Sequence, residues 1–325
     1  MGFLAHQFPN EEIQYFEGSW IASTLDQIPE SCFFITDFTK DKVYYFKEHN
    51  TLENLSNIDF SFSHDDEIFV ANEKAYLNGL QYFIDGFEMF GIEKAIFSRI
   101  KLVDREADVE LNDVFVRLCK AYQKQALVYF VSDEQFGSWM GATPETLLSG
   151  NEQKMQSMAL AGTKSSAEKE WTEKEFEEQQ YVVDYIQQKI EEQSPGDLSV
   201  TKAQTVQKGA VYHLQSDFEF SLDKEKWNAL LQSLHPTPAV CGTPGDLARD
   251  YILRNEPHER SFYTGIIGQK KSDALSVYVN LRCMQVMKKH FALYVGGGIT
   301  LSSNIANELQ ETEDKSETLL SVIFD

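Results

Sequence analysis

The sequence has no basic run, and this absence limits its partners. Over 325 residues it holds 51 Asp and Glu against 29 Lys and Arg, a formal net charge of −22. Binding to a polyanion depends on counterion release by Lys and Arg, so the composition argues against nucleic acid and an anionic membrane as partners. Hydrophobic residues make up 42% and aromatic residues 13%, which is typical of a folded globular chain rather than a disordered acidic one.

Cysteine is scarce as well, and no two cysteines form a CxxC pair. Cys32, Cys119, Cys241 and Cys283 are widely spaced, so the sequence predicts neither a zinc site nor a disulfide framework. We expect four buried thiols in a reducing compartment. No apolar run approaches the roughly 18 residues that span a bilayer, and no basic segment followed by an apolar one opens the chain. These absences predict a cytoplasmic protein without a membrane partner.

Strand-like and helix-like segments are present in an irregular order. Apolar periodicity predicts helices near 112–125, 172–193 and 304–322. Because strands and helices do not alternate strictly, a parallel Rossmann-type sheet is disfavoured. The order favours an α+β fold with helices on the outer faces of large, mostly antiparallel sheets. β-Branched and aromatic runs predict strands at 32–35, 43–46, 95–97, 127–131, 277–279 and 291–295.

A run of three glycines, Gly296 to Gly298, does not complete a nucleotide fingerprint. Leu301 stands where a dinucleotide loop needs its third glycine. Such a run commonly marks a strand-end bend or a close approach of backbone. The alternative is that its free N–H groups face an anionic ligand. The residues alone leave both interpretations open.

The C-terminal helix carries acidic residues on different faces. At about 100° per residue, Glu308, Glu311 and Lys315 fall on one flank of the apolar stripe, while Glu313 and Glu317 point toward solvent. Two carboxylates at i, i+3 can converge on one hard cation such as Mg²⁺, which prefers oxygen ligands. A plain surface ion pair between Glu311 and Lys315 is the alternative, and geometry alone favours it.

Three further side chains are candidates for a site. Lys94 precedes a predicted strand, and Glu145 lies in the turn that follows Thr143 and Pro144. A buried lysine can serve as general base and a protonated carboxyl as general acid, although a lone Lys or Glu is usually solvated surface. His213 lies in an apolar, strand-like run, where a histidine with satisfied core contacts is the commoner outcome.

In their order along the chain, these segments resemble the chorismate-utilising enzymes, which include isochorismate, salicylate, anthranilate and aminodeoxychorismate synthases. The resemblance implies a four-layer α/β/β/α sandwich forming a single chorismate-binding domain over 1–325. It covers a catalytic core at 91–320, and the shortened N-terminal part at 1–90 carries no recognised motif. The matching segments are 93–99, 141–145, 159–163, 174–183, 211–214, 235–244, 263–265, 281–283 and 296–315.

The resemblance also implies a metal site. Glu178, Glu308 and Glu311 would bind Mg²⁺, which would hold the ring carboxylate of chorismate. Phe176 and Gln179 depart from the family pattern, so the neighbouring Glu177 is an alternative to Glu178 as a ligand.

The same resemblance implies contacts to the rest of the substrate. His213 would lie beside the ring, and Gly162 with Thr163 near the reacting hydroxyl. An arginine suits a carboxylate because its planar fork matches it. The enolpyruvyl carboxylate would be bound by Arg282, Tyr263, Lys315 and the N–H groups of Gly296 and Gly298.

Two positions help to distinguish the branches of the family. The position of Lys94 is usually Gln in the aminating enzymes and Lys in the water-adding branch. The position of Ala239 is typically Thr in aminating and salicylate-forming members. Both favour an Mg²⁺-dependent isochorismate synthase with Lys94 as base and Glu145 as acid.

Other functions remain open within this resemblance. The alternatives are a salicylate synthase, an aminating synthase subunit and a chorismate-binding protein without activity. For the favoured function we expect no amidotransferase partner and a monomer or weak dimer. The product could serve menaquinone or siderophore synthesis.

Overall fold

The computed structural model describes residues 1–56, 58–63, 68–106, 109–164, 166–168, 170–209 and 211–324. Its strands are β1 (Gly2–Gln7), β2 (Gln14–Ser23), β3 (Cys32–Thr36), β4 (Val43–Leu52), β5 (Lys94–Asp104), β6 (Leu127–Asp133), β7 (Gly137–Thr143), β8 (Thr146–Asn151), β9 (Lys154–Lys164), β10 (Gly196–Val200), β11 (Gln204–Lys208), β12 (Val211–Ser221), β13 (Gly242–Thr243), β14 (Ile266–Lys270), β15 (Leu275–Val279), β16 (Cys283–Val286) and β17 (His290–Thr300). Its helices are α1 (Glu73–Asp85), α2 (Phe87–Phe90), α3 (Leu111–Tyr122), α4 (Glu173–Glu191), α5 (Trp227–Leu234), α6 (Gly245–Asn255) and α7 (Ile305–Ile323).

The strands pair antiparallel and form one continuous sheet with two halves. One half runs β13-β5-β17-β16-β7-β6-β1-β2. The other runs β4-β3-β14-β15-β8-β9-β12, with β10 and β11 both paired to β12. The long strand β2 pairs with both β1 and β4 and so joins the halves. The predicted α+β class with large antiparallel sheets is confirmed.

Each half of the sheet has apolar clusters packed on both faces. Neighbouring side chains of a strand point to opposite faces, so they belong to different clusters. In β6, Phe130 belongs to an apolar cluster with α3 and α7, whereas Tyr129 belongs to the cluster between the two halves. In β3, Phe34 belongs to a cluster with α4 and α5, and Phe33 faces the other half. The layers therefore run helix, sheet, sheet, helix, as the predicted four-layer sandwich requires.

The predicted elements are present, but most strands extend beyond their predicted ends. β5 continues to Asp104, well past the predicted 95–97. The first ninety residues contribute strands to both halves, since β1 pairs with β6 and β3 pairs with β14. The four cysteines are buried and unpaired, as predicted. Among the residues described, no helix combines the length and apolarity needed to cross a membrane.

Candidate active site

A cavity lies between the two halves of the sheet, and most of the predicted site residues line it. Its walls come from β5 and β17 on one side and from β9 and β12 on the other. Lys94 reaches it beside Gly298, while Glu308 and Glu311 line an adjoining opening that shares Thr163 with the cavity. The predicted residues that line the cavity itself are Glu145, Gly162, Thr163, Glu178, His213, Ala239, Tyr263, Arg282, Gly296, Gly298 and Lys315.

Lys94 is fully buried at the start of β5 and is paired with a carboxylate of α4. Its Nζ lies 2.8 Å from Glu178 Oε1 and has no other hydrogen-bond partner within the described residues. Burial raises the pKa of Glu178, but the charges of Lys94, Lys174 and Lys315 outweigh it and hold the pKa below its ordinary value. Glu177 is exposed on the same helix, so Glu178 is the one of the two that reaches the cavity.

Glu145 lies between β7 and β8 and is only 2% exposed. Burial raises the pKa of its carboxyl to about 8, although the charges of Lys94, Arg282 and Lys315 act in the opposite direction. The carboxyl is therefore protonated at neutral pH. A buried acid in this state can donate a proton to a leaving group.

Arg282 and His213 form one hydrogen-bonded unit in the wall of the cavity. His213 Nδ1 lies 2.8 Å from Gly162 O, and a carbonyl oxygen only accepts, so we assign the hydrogen to Nδ1. Nε2 then accepts from Arg282 Nη2 at 3.0 Å. Burial and the charge of Arg282 hold the pKa of His213 well below its ordinary value. His213 is therefore neutral and helps to orient Arg282.

Thr318 completes this unit, and it is absent from the residues predicted from the sequence. Arg282 Nη1 donates to Thr318 Oγ1 at 2.7 Å. The available signal was its position on the C-terminal helix, three residues after Lys315 and next to the apolar Leu319. Arg282 also has a φ of 46°, in the left-handed region that is uncommon for residues other than glycine and is concentrated at functional sites.

A buried ion pair supports the cavity wall from behind and was also missed from the sequence. Arg260 Nε donates to Glu256 Oε2 at 2.7 Å, and both side chains are 3% exposed. Arg260 also donates to the carbonyls of Ile96 and Val240 and to Thr264 Oγ1. These three residues line the cavity, so the pair ties together three separate parts of its wall.

The glycine run lies inside β17 rather than at its end. The N–H groups of Ser98 and Ile96, opposite Gly296 and Gly298 on β5, donate to acceptors away from β17. In an antiparallel ladder this makes them non-hydrogen-bonded pairs, so the N–H and C=O groups of the two glycines face the other edge. At that edge β16 no longer pairs with β17. Lys315 Nζ contacts Gly296 O there, at 2.9 Å. The glycine backbone groups therefore face the cavity.

The carboxylates of α7 converge above the middle glycine. A Cβ placed on Gly297 would lie 3.3 Å from Glu308 Oε2 and 3.4 Å from Glu311 Oε1. Glu308 is 3% exposed, and its Oε2 has no hydrogen-bond partner among the described residues. Burial and then the charge of Glu311 raise the pKa of Glu308. An unpartnered buried oxygen beside a second carboxylate fits an oxygen-bound divalent cation such as Mg²⁺.

The predicted metal carboxylates do not form a ready-made cage. In the part of the chain that the structure describes, no three acidic, His or Cys side chains are grouped closely enough to hold a metal ion. Burial lowers the pKa of Lys174, but the carboxylates of Glu308, Glu178 and Glu311 outweigh it and hold that pKa above its ordinary value. Each carboxylate is instead paired with a lysine: Glu178 with Lys94 at 2.8 Å, Glu308 with Lys174 at 2.7 Å and Glu311 with Lys315 at 2.7 Å.

Glu313, predicted to point toward solvent, keeps 38% of its side chain exposed and also pairs with two cations. Its carboxylate contacts Arg99 Nη2 and lies 2.5 Å from Lys101 Nζ. Both cations belong to β5, which packs beside α7 and supplies partners that helical periodicity alone does not reveal.

Comparison with known proteins defines the class of the molecule. A family model described as chorismate binding enzyme matches residues 39–324. The chain belongs to this family, and the match begins well before the boundary predicted at residue 91.

Its relatives include proteins named as isochorismate synthases. DhbC of Bacillus subtilis (strain 168) is 33% identical over 201 residues, which cover 56% of this chain and 49% of that relative. EntC of Escherichia coli (strain K12) is 27% identical over 245 residues, covering 71% of this chain and 62% of that relative. The alignments thus span about half to three fifths of these relatives.

A solved structure shares the fold over nearly the whole chain. The crystal structure titled as a putative 2,3-dihydroxybenzoate-specific isochorismate synthase, DhbC, from Bacillus anthracis superposes with a TM-score of 0.83 at 22% identity. The superposition covers 99% of this chain and 96% of that one.

Proposed function

We propose that this protein is an isochorismate synthase, an Mg²⁺-dependent isomerase that converts chorismate to isochorismate in the cytoplasm. The observation that carries the proposal is that a buried lysine, Lys94, and a buried protonated acid, Glu145, serve one cavity. The names of the relatives support the same reaction. Lys94, where the aminating enzymes usually have Gln, supports action without an amidotransferase subunit.

The reaction exchanges one hydroxyl for another and needs one base and one acid. Lys94 parts from Glu178 and, as the unprotonated amine, takes a proton from water as that water attacks ring carbon 2. Glu145 donates its proton to the hydroxyl leaving carbon 4, and the ring double bonds shift. One water enters and one leaves, so the reaction is reversible and needs no redox cofactor. Each proton transfer contributes about 10²–10⁴-fold to the rate.

Cationic and amide donors orient the two carboxylates of the substrate. Arg282 presents its guanidinium to the enolpyruvyl carboxylate, because its planar fork matches that group. Lys315, the Tyr263 hydroxyl and the N–H groups of Gly296 and Gly298 complete this side. Mg²⁺ held by Glu178, Glu308 and Glu311 would offset the charge of the ring carboxylate.

Product analysis tests the proposal directly. Purified protein is incubated with chorismate and Mg²⁺, with and without ammonia, and the products are separated by chromatography. We expect isochorismate alone under both conditions. Salicylate with pyruvate would indicate a salicylate synthase, an ammonia-dependent product an aminating enzyme, and no turnover a binding protein. Each of these three results contradicts the proposal.

A further inference from the structure

Lys174 is a cation of the site to which the proposed reaction gives no role. It lies in the first turns of α4, and its Nζ is 2.7 Å from Glu308 Oε1 on α7. Its side chain is 29% exposed, whereas that of Glu308 is 3% exposed. Both residues line the opening beside the cavity. Lys174 therefore stands between a buried carboxylate and the solvent from which a metal ion would arrive.

Lys174 lies beside more than one of the carboxylates proposed to bind the metal. It contacts Glu308 and lines the same opening as Glu308 and Glu311. Lys315 also contacts Gly296 O, and Lys94 is the proposed base. Both lysines therefore have a role besides compensating the charge of a carboxylate. Within the described residues, Lys174 makes its hydrogen bond to Glu308 alone.

Grouped carboxylates out of water need a nearby positive charge, because an uncompensated buried charge is strongly destabilising. In the absence of metal, Lys174 supplies that charge to Glu308. A divalent ion bound at the same carboxylates makes the ammonium redundant and is repelled by it. The two cations are therefore alternatives at one place.

We propose that Lys174 is a built-in counter-cation that competes with the divalent metal ion for Glu308 and thereby lowers the affinity of the site for that ion. This inference rests on the metal site of the proposed function. It assigns to Lys174 a task in the metal-free protein, where it stabilises the contact of α4 with α7, and a second task in setting how much metal is needed to fill the site.

Metal binding without substrate tests the inference. Mn²⁺ serves as the probe, and its free concentration is followed by electron paramagnetic resonance as protein is added. In Lys174→Met, which keeps length but removes charge, we expect the dissociation constant for Mn²⁺ to fall about fivefold or more. Lys174→Arg keeps the charge and should stay within about twofold of the wild type.

Lys101→Met is the matched control. Lys101 of β5 is 24% exposed and pairs with Glu313 of α7, the helix that also carries Glu308. This pair lies outside the cavity, so its loss should leave Mn²⁺ affinity unchanged. Thermal unfolding gives a second readout. Without metal, Lys174→Met should unfold at a lower temperature than the wild type, and Mg²⁺ should raise its midpoint by more. Lys174→Gln carries the same expectations where the Met variant fails to fold.

Affinity that is unchanged or weaker in Lys174→Met overturns the inference, since a residue that merely orients Glu308 would weaken metal binding when removed. If the wild type converts chorismate while Lys174→Met binds Mn²⁺ no tighter, only the inference fails. If the wild type binds no Mn²⁺, the metal site of the proposed function fails, and the inference fails with it.

Discussion

Burial sets the charge of individual side chains in the cavity. Glu145 keeps its proton and His213 stays neutral, because the ionised form of each side chain is poorly solvated in the cavity. Glu178 keeps its charge because lysines surround it. The cavity thus holds a protonated acid, a neutral imidazole and a carboxylate close together. This combination suits a reaction that needs an acid at neutral pH.

Lys94→Ala is expected to abolish turnover while leaving chorismate binding largely intact, because the variant lacks the proposed base but keeps the carboxylate-binding groups. Isothermal titration with chorismate and the chromatographic assay measure the two properties separately. Lys101→Ala, in the same strand but paired outside the cavity, is the control and should remain active. Retained activity in Lys94→Ala would remove Lys94 as the base.

The rate should depend on the proton of Glu145. Because the pKa of this carboxyl is about 8, we expect kcat to fall as pH rises through this value. Glu145→Gln, which cannot donate the proton, should lower kcat by about 10²–10⁴-fold. Steady-state kinetics between pH 6 and pH 10, with protein folding checked by circular dichroism, provide the measurement. Near-normal kcat in Glu145→Gln would exclude Glu145 as the acid.

The same group links stability to pH. The folded pKa of Glu145 is about 8, above its ordinary value of 4.5, so between these values the folded state binds more protons than the unfolded state. Its contribution to stability is complete below about pH 4.5 and is lost as pH rises toward about 8, with a slope of at most about 1.4 kcal/mol per pH unit. Urea unfolding at pH 5 and pH 8 should show a larger loss in the wild type than in Glu145→Gln. Equal losses would contradict the buried, protonated state.

Side-chain positions could be predicted where they depend on one element. Helical periodicity alone placed Glu308, Glu311 and Lys315 on one flank of α7, and the structure brings both carboxylates to Gly297. It did not reveal the partners of Glu313, which come from β5. Thr318 was missed for a similar reason, because its role depends on an arginine far away in the chain. Periodicity reveals which face a residue occupies but not what lies opposite.

Strand β17 and helix α7 approach each other closely because the strand has no side chains at its centre. A Cβ on Gly298 would lie 2.3 Å from Glu178 Oε1 and 2.9 Å from Lys94 Cε. On the other face, Gly297 leaves room for the carboxylates of α7. The run therefore allows groups from both faces to reach one strand edge. The sequence predicted close approach as one interpretation, but not which groups approach.

Gly298→Ala is expected to push apart Glu178 and Lys94, because the added methyl group overlaps both. We expect a loss of stability of about 1–3 kcal/mol, typical of overpacking, and loss of most turnover. Gly79→Ala in α1, where the nearest atom to a Cβ is 3.5 Å away, is the matched control and should keep both properties. Urea unfolding and the product assay measure them. An active, fully stable Gly298→Ala would contradict this packing.

The molecule as a whole places its site where distant parts of the chain meet. The strand partners β3 and β14 illustrate why this could not be read from the sequence. β3 was predicted from its composition and β14 was not, and their pairing depends on register across the whole fold. Helix α1 was not among the predicted helices, although its cap at Asn72 and its apolar Tyr76 and Leu80, both buried, are signals of a helix. The four layers themselves came from the family resemblance rather than from periodicity.

The net charge of −22 acts on the proposed substrate, which is a dianion. Around the cavity this repulsion is opposed by Arg282, Lys315 and the glycine amides, whose effect is short in range. The Debye length is about 30 Å at 0.01 M salt and about 10 Å at 0.1 M. At the lower salt concentration the approaching substrate therefore interacts with the charge of the whole surface. At the higher concentration it interacts mainly with the groups of the cavity.

We therefore expect kcat/KM for chorismate to rise about two- to fivefold between 0.01 M and 0.1 M salt at saturating Mg²⁺, because screening removes the long-range repulsion that slows association. The value of kcat should change little, since the bound substrate interacts with local groups. Initial rates at low chorismate concentration measure the effect, and agreement between NaCl and KCl excludes binding of a particular ion. A fall in kcat/KM would show that the local cations outweigh the surface charge even at a distance, so that net charge is no guide to which anions this protein accepts.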